Sequence, residues 1–234
     1  MEMNECDVVY IVKNGENKSA ELTYSLRSVD KNFPRRLLWI FGGKPSRIEP
    51  DRFVPIEQTG DTKWNKVTNT LREVCLTPEV SNNFWLFNDD FFVMEPVTKP
   101  ENYHAHTLEW RINDIETKSH GRTLYTVQLR NIVEILKLSG LKTLNFDVHV
   151  PMLFNKAKLL EVIDNYPTAS MMRSIYGNYW EIDSAQMEAD VKIIGRTTTN
   201  FEGPYCSTLD ASFNNGRIGV LIRNKFSEKS RWEK

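Results

Sequence analysis

Two adjacent carboxylates, Asp89 and Asp90, interrupt an apolar stretch of the 234-residue chain. They follow the apolar run FWLF and are followed at once by FFVM. Carboxylates held side by side at the end of a buried strand repel each other unless a cation compensates them. Oxygen ligands without cysteine are typical of Mg²⁺ and Mn²⁺ sites. The pair therefore predicts a divalent-metal site, and the alternative is an ordinary solvated turn.

A second group of polar residues lies in the segment FDVHVP. Strand alternation there would place Asp147 and His149 on one side and Phe146 and Val148 on the other. A neutral imidazole can complete the coordination of a metal, and a nearby carboxylate can orient the ring or act as a base on an acceptor hydroxyl. The alternative for His149 is a hydrogen-bonded, half-buried structural residue.

The first half of the chain alternates as β-α-β units do. Its candidate elements, in order, are the strand DVVYIVK, a helix over ELTYSLRSVDKNFP with Ser19 as N-cap, the strand RRLLWIFGG, a short strand FVPIEQ, the helix DTKWNKVTNTLREVCL and the strand NNFWLF. Strands that are apolar on both faces indicate a buried parallel sheet. Ligands of such sheets bind beyond the carboxyl ends of the strands, which is where the acidic pair lies.

The second half is less regular. Residues 101–121 are interpreted as strands or loops of an insertion, whereas RTLYTVQLRNIVEILKLSG predicts a helix that ends at Gly140. The segment from Asn145 to Pro167 predicts a short strand and a further helix, and the tail mixes both patterns. We interpret residues 1–234 as one catalytic domain, with a nucleotide-binding half (1–100) and an acceptor-binding half (101–234).

Composition limits the possible classes of protein. With 30 Lys and Arg against 31 Asp and Glu, the chain is not one that coats nucleic acid or an anionic membrane with its whole surface. Three widely spaced cysteines predict neither a disulfide framework nor a zinc site, which favours a reducing cytoplasm. No segment has the ~20 apolar residues of a membrane helix, and the acidic N-terminus is unlike a secretory signal. The oligomeric state is unknown.

Three blocks resemble a known family: ELTYSLRSVDKNFP, NNFWLFNDDFFVMEP and FDVHVPMLFNK. They look like the conserved blocks of Stealth-type capsular polysaccharide phosphotransferases and of small related glycosyltransferase-like proteins of bacteria and their phages. The resemblance extends in patches from about Val8 to Lys158. It implies an α/β fold of the GT-A-like (Rossmann-like) class, with a mixed, mostly parallel sheet flanked by helices and a small C-terminal extension.

The resemblance also implies roles for residues. In GT-A enzymes a D-x-D-like motif holds a metal on the donor diphosphate; here the motif reads Asn88-Asp89-Asp90, so Asp90 is the expected metal ligand, with His149 as a second one. Asp89 and Asp147 are the expected catalytic residues, Asp89 as a contact to the sugar. The residues predicted to bind the donor are Tyr10, Arg27, Lys44, Lys66, Asn69 and Asn88.

The function predicted on these grounds is metal-dependent glycosyl transfer. The donor would be a nucleotide sugar, the cofactor Mn²⁺ or Mg²⁺, and the acceptor a hydroxyl of a surface glycan or of a modified DNA base. The basic C-terminal residues offer some attraction for phosphates. The alternatives are sugar-phosphate transfer of the Stealth type and a sugar- or nucleotide-binding module without activity.

Overall fold

The computed structural model describes residues 5–15, 20–169, 171–201 and 203–234; the predicted N-cap Ser19 lies outside these ranges. The strands are β1 (Asp7–Val12), β2 (Leu38–Gly42), β3 (Arg52–Pro55), β4 (Asn83–Phe87), β5 (Phe91–Val93), β6 (Tyr103–His104), β7 (Met152–Asn155), β8 (Ala185–Gln186), β9 (Lys192–Ile193) and β10 (Tyr205–Thr208). The helices are α1 (Ala20–Asn32), α2 (Lys63–Leu76), α3 (Leu108–Lys118), α4 (Leu124–Leu138), α5 (Lys156–Asn165), α6 (Met172–Tyr179), α7 (Asp210–Asn215) and α8 (Arg217–Lys225).

The main sheet has five strands in the order β3-β2-β1-β4-β7. The first four are mutually parallel where they pair, and β7 runs antiparallel to β4. The predicted fold class, a mixed and mostly parallel sheet flanked by helices, is therefore confirmed. The chain builds outward from β1 to β3 and then returns to the other side of β1 with β4. The strand order thus reverses between β1 and β4, which is where open α/β sheets bind ligands.

Helices cover both faces of this sheet because its central strands are apolar on both sides. In β1, Val9 joins the core beneath α2, α4, α5 and α6, whereas Val8 and Tyr10 join the core beneath α1. Helix α1 contributes Leu22 and Leu26 to that second core. Burial on both faces fixes the sheet between two layers and presents its carboxyl edge to the site.

Two predicted elements differ from the structure. Residues 108–118 form helix α3 rather than strands or loops; Thr107 caps it by accepting a hydrogen bond from the Trp110 amide. The helix buries only Leu108 and Ile112, so its apolar stripe is too short to be conspicuous in the sequence. The segment FDVHVP is not a strand, because the strand that pairs with β4 begins at Met152.

The C-terminal part of the chain packs against the segment that follows the acidic pair. Strand β10 pairs antiparallel with β5 and parallel with β9, forming a second sheet in the order β5-β10-β9. Phe92 of β5 stacks on Phe213 of α7 at a centroid distance of 5.6 Å. The tail therefore helps to position the acidic pair, although it lies more than one hundred residues later in the sequence.

Residues 230–234, which we call the C-terminal strap, tie helix α1 down. Glu233 accepts two hydrogen bonds of 2.7 Å from the guanidinium of Arg27. Arg231 donates to Asp30 at 2.7 Å. Trp232 between them is buried, and the guanidinium of Arg35 lies 4.5 Å from the centroid of its ring.

In the described ranges, no helix is long and apolar enough to cross a membrane.

Glu21, in the first turn of α1, is a buried carboxyl that makes stability depend on pH. Burial and the neighbouring Asp210 raise its pKa from near 4.5 to about 8, although Thr208 donates a hydrogen bond of 2.7 Å to it. As pH rises from about 5 to 8, the unfolded chain releases this proton before the folded chain does, so stability falls. At pH 8 we expect Glu21→Gln to be more stable than the parent by roughly 2 kcal/mol, about half of what the full pKa shift would give, because solvent screening reduces the effect. This advantage should be lost near pH 5. Measuring the unfolding temperature between pH 5 and pH 8 tests this expectation, with a substitution of the exposed Glu73, Glu73→Gln, as control. If the unfolding temperatures of the parent and Glu21→Gln change with pH in parallel, the expectation is refuted.

Candidate active site

Asn88, Asp89 and Asp90 form the tight turn between β4 and β5. The Phe91 amide donates to the Asn88 carbonyl at 3.2 Å, which closes the turn. The turn is not simply solvated, because the Asp90 side chain is only 14% exposed. Its Oδ2 accepts hydrogen bonds from Lys192 Nζ at 2.8 Å and from Ser207 Oγ at 2.9 Å. A lysine of the second sheet therefore compensates the charge of Asp90.

A cavity of about 450 Å³ lies beside this turn, at the carboxyl end of β4. Its floor comes from Asn88 and Phe91, and its walls come from the first half of α2, the start of α6 and the segment 147–149. Lys192 also lines it. The cavity is therefore at the edge of the sheet where the strand order predicts ligand binding.

Arg173, in the first turn of α6, is a further cation that lines the cavity. Its Nη1 donates to the Val150 carbonyl at 2.7 Å, and its guanidinium lies 5.4 Å from the centroid of the Phe91 ring. Burial lowers the pKa of Arg173 to about 10, against the attraction of Asp147 and Asp90. The side chain is therefore still charged at neutral pH and is held in place by its contacts.

Asp147 is the carboxylate on the cavity wall. Its Oδ2 accepts a hydrogen bond of 2.5 Å from Ser174 Oγ. Burial raises the pKa of Asp147, and this hydrogen bond and the charge of Arg173 oppose the rise. A carboxylate with a raised pKa accepts a proton more readily at neutral pH, which suits it to act as a general base.

The ring of His149 also lines the cavity and is oriented by Asp190. His149 Nδ1 lies 2.7 Å from Asp190 Oδ2, and the His149 amide donates to Asp190 Oδ1 at 3.0 Å. Burial raises the pKa of Asp190. The charge of His149, the hydrogen bonds from His149 and the charge of Arg111 outweigh this and lower the pKa to about 2. Asp190 is therefore ionised at neutral pH and fixes the orientation of the imidazole.

The structure brings several predicted site residues together. Asn88, Asp147 and His149 line the cavity, and Asp90 contacts it through Lys192. Asp89 lies in the same turn and is half-buried. Although FDVHVP is not a strand, Phe146 and Val148 are buried while Asp147 and His149 face the cavity. The predicted division of this segment into a polar and an apolar side therefore holds without the predicted strand.

Two of the predicted donor-binding residues are engaged in the fold instead. Tyr10 is fully buried, and its hydroxyl lies 2.8 Å from Ser25 Oγ. Since that serine donates to the Phe91 carbonyl, Tyr10 supports the segment after the acidic turn from below. Arg27 is held by Glu233 of the C-terminal strap. Neither lines the cavity.

The other three predicted donor-binding residues are on the surface away from the cavity lining. Lys44 is exposed after β2, with its Nζ 5.8 Å from the centroid of the Phe53 ring. Lys66 and Asn69 are on the outer side of α2, and the side-chain amide of Asn69 donates to the Thr59 carbonyl at 3.0 Å. The cavity is lined instead by Lys63, Trp64 and other residues of the opposite side of α2.

Sequence reasoning missed Arg173, Asp190 and Lys192. Arg173 carried a signal, because it is one charge among apolar residues in the segment MMRSIYG. Lys192 and Asp190 carried none that is local: Lys192 contacts a carboxylate 102 residues away, and Asp190 contacts a histidine 41 residues away.

The side chains as arranged do not form a metal centre. Each expected ligand already has another partner, Lys192 for Asp90 and Asp190 for His149. Among the residues that the structure describes, no three His, Cys, Asp or Glu side chains are grouped as metal ligands would be. Metal binding therefore stays a prediction.

We compared the chain with protein families, curated proteins and solved structures. No protein-family model matches the chain, and no curated protein matches it, so the resemblance to the Stealth family also stays a prediction. Among solved structures, this chain is similar to the glycosyltransferase GlyE of Streptococcus pneumoniae TIGR4, with 11% identity and a TM-score of 0.39. The apo form of that enzyme gives 11% identity and a TM-score of 0.38. In both cases the match covers 79% of this chain and 45% of the other, so the chain spans less than half the length of these proteins.

Proposed function

We propose that this chain is a glycosyltransferase that moves a sugar from a nucleotide-sugar donor to an acceptor hydroxyl. One observation carries the proposal: a single cavity at the carboxyl end of β4 combines the carboxylate of Asp147 with the cations Arg173 and Lys192. Its volume of about 450 Å³ lies within the range of small-molecule sites.

The charges of the cavity suit an anionic donor. Of its lining side chains, Lys63, Arg173 and Lys192 are cationic and Asp147 is the acid. A nucleotide sugar brings a diphosphate, whose charge grows on the leaving side as the bond to the sugar breaks. Fixed cations at that position stabilise the transition state more than the ground state.

Helix α2 and Tyr125 give the cavity a flat apolar surface. Trp64 stacks on Tyr125 with ring centroids 6.5 Å apart and planes 22° from parallel. Val67 and Leu71 continue this wall along α2. Aromatic faces bind both nucleobases and the apolar faces of sugar rings, so this wall suits the uncharged parts of the donor.

The residues of the cavity supply the chemistry as follows. Asp147 takes the proton of the acceptor hydroxyl while the hydroxyl oxygen of the acceptor forms a bond to the anomeric carbon of the donor sugar. The bond from that carbon to the phosphate oxygen breaks, and the electron pair leaves with the nucleoside diphosphate beside Arg173 and Lys192. His149, oriented by Asp190, positions the acceptor, and Asp89 stays the predicted contact to the sugar.

A panel of UDP-, GDP-, CDP- and dTDP-sugars tests the proposal. Each donor is incubated with the protein and mixed glycan or DNA acceptors, with Mn²⁺, with Mg²⁺ or with EDTA, and nucleotide release and product mass are measured. We expect one donor class to release nucleoside diphosphate and to add the mass of a bare sugar. A product heavier by one phosphate would instead establish sugar-phosphate transfer. Nucleotide binding without any release would establish a binding module and refute the proposal.

A further inference from the structure

The acidic turn already has a protein cation beside it, because Lys192 Nζ lies 2.8 Å from Asp90 Oδ2. This lysine is 18% exposed and its partner Asp90 is 14% exposed, so the pair is mostly shielded from water. Ser207 of β10, which is fully buried, donates to the same carboxylate oxygen. Strand β9 begins at Lys192 and pairs with β10, where Ser207 is opposite Lys192. The ammonium is therefore placed by a sheet and not by a loose surface chain.

Arg173 also lines the cavity and is attracted by the same carboxylate. It is positioned by the Val150 carbonyl and the Phe91 ring, and Asp90 is among the carboxylates that attract it. Asp90 is thus an internal anion that attracts two cations, both of which line the cavity. Preorganised cations of this kind bind phosphate oxygens without further ordering.

We infer that Lys192 and Arg173 form a built-in cation site for the donor diphosphate and that this site makes a divalent ion unnecessary for nucleotide binding. The inference rests on the proposed function, and it departs from the metal-dependent reaction predicted from the sequence. Asp90 then acts as a positioning residue that holds Lys192 and does not ligate a metal in the resting protein.

Calorimetry with UDP, GDP, CDP and dTDP, in EDTA and in Mn²⁺, tests the inference on the full chain. In the parent we expect the Kd of the best ligand to change less than about twofold between the two conditions. Lys192→Met should weaken binding in EDTA by about tenfold or more, because a charge-assisted contact to phosphate is lost. The control Lys99→Met changes an exposed lysine outside the cavity and should bind as the parent does.

Thermal unfolding shows whether Lys192→Met keeps the fold. If Lys192→Met does not fold, the comparison of EDTA with Mn²⁺ in the parent still decides. Nucleotide binding by the parent only with Mn²⁺ overturns this inference and leaves the proposed function intact. Failure to bind any of the four nucleotides under either condition overturns both.

Discussion

Replacing Asp7 with alanine is expected to lower the free energy of unfolding by about 3 kcal/mol or more, because several hydrogen bonds lose their common acceptor at once. Asp7 is fully buried at the start of β1. Its Oδ1 accepts from Arg36 Nε at 2.7 Å and from the Leu37 amide at 3.2 Å. Its Oδ2 accepts from Arg36 Nη2 at 2.7 Å, Trp39 Nε1 at 2.9 Å and the Ser81 amide at 2.9 Å. Alanine would leave all these donors without their acceptor at the point where β1, β2 and the start of β4 meet.

Urea unfolding of the parent and of Asp7→Ala measures this cost. Asp7→Asn keeps one acceptor oxygen and the shape of the side chain, so it should lose less stability than the alanine variant. The matched control is Asp164→Ala. The Asp164 side chain is 56% exposed and forms an ion pair with Arg72, so this substitution should change the free energy of unfolding by less than about 1 kcal/mol. Equal losses in Asp7→Ala and Asp164→Ala would show that the buried carboxylate has no special structural role.

Replacing Asp147 with asparagine is expected to lower kcat for sugar transfer by about 10²–10⁴-fold, the usual contribution of a general base. Asparagine has nearly the same shape and can still accept the hydrogen bond from Ser174 Oγ, so the fold should be kept. It cannot take the proton of the acceptor hydroxyl. Because donor binding relies on Arg173 and Lys192, the Kd for the nucleoside diphosphate should change little.

Initial rates with the donor found in the nucleotide-sugar panel test the role of Asp147, and thermal unfolding checks the fold. Asp164→Asn, a change to an exposed carboxylate outside the cavity, serves as the matched control and should keep the parent rate. Unchanged turnover in Asp147→Asn would exclude Asp147 as the base. His149 with Asp190 would then be the remaining base of the cavity, and His149→Gln would test it.

Local sequence patterns were sufficient for the elements that carry a long apolar stripe. Helix α4 is an example: its apolar positions recur at helical spacing, Thr123 caps it, and Gly140 adopts a φ of +68° just after its end. Helix α3 was missed because only two of its residues reach the core. The short strand β7 was misplaced by several residues, since the alternation that precedes it is equally strand-like.

The candidate site was predictable only in part, for a different physical reason. The turn Asn88–Asp90 and the pair Asp147 and His149 stand out locally, as polar residues inside apolar segments. Their partners Lys192 and Asp190 come from the tail, and no sequence pattern relates them to the turn. The sequence predicts a metal as the counter-charge of these carboxylates, and this stays a prediction; the structure shows a lysine beside Asp90.

The C-terminal strap has a consequence for how the protein folds. Helix α1, which the strap holds, is hydrogen-bonded to β5: Ser25 donates to the Phe91 carbonyl, and Asn32 donates to the Val93 carbonyl. The contact between Arg27 and Glu233 closes a loop of 206 residues. Contacts between residues so distant in sequence slow folding, because the entropy of closing the loop is lost before the contact forms. We therefore expect the contact between the strap and helix α1 to be among the late events of folding.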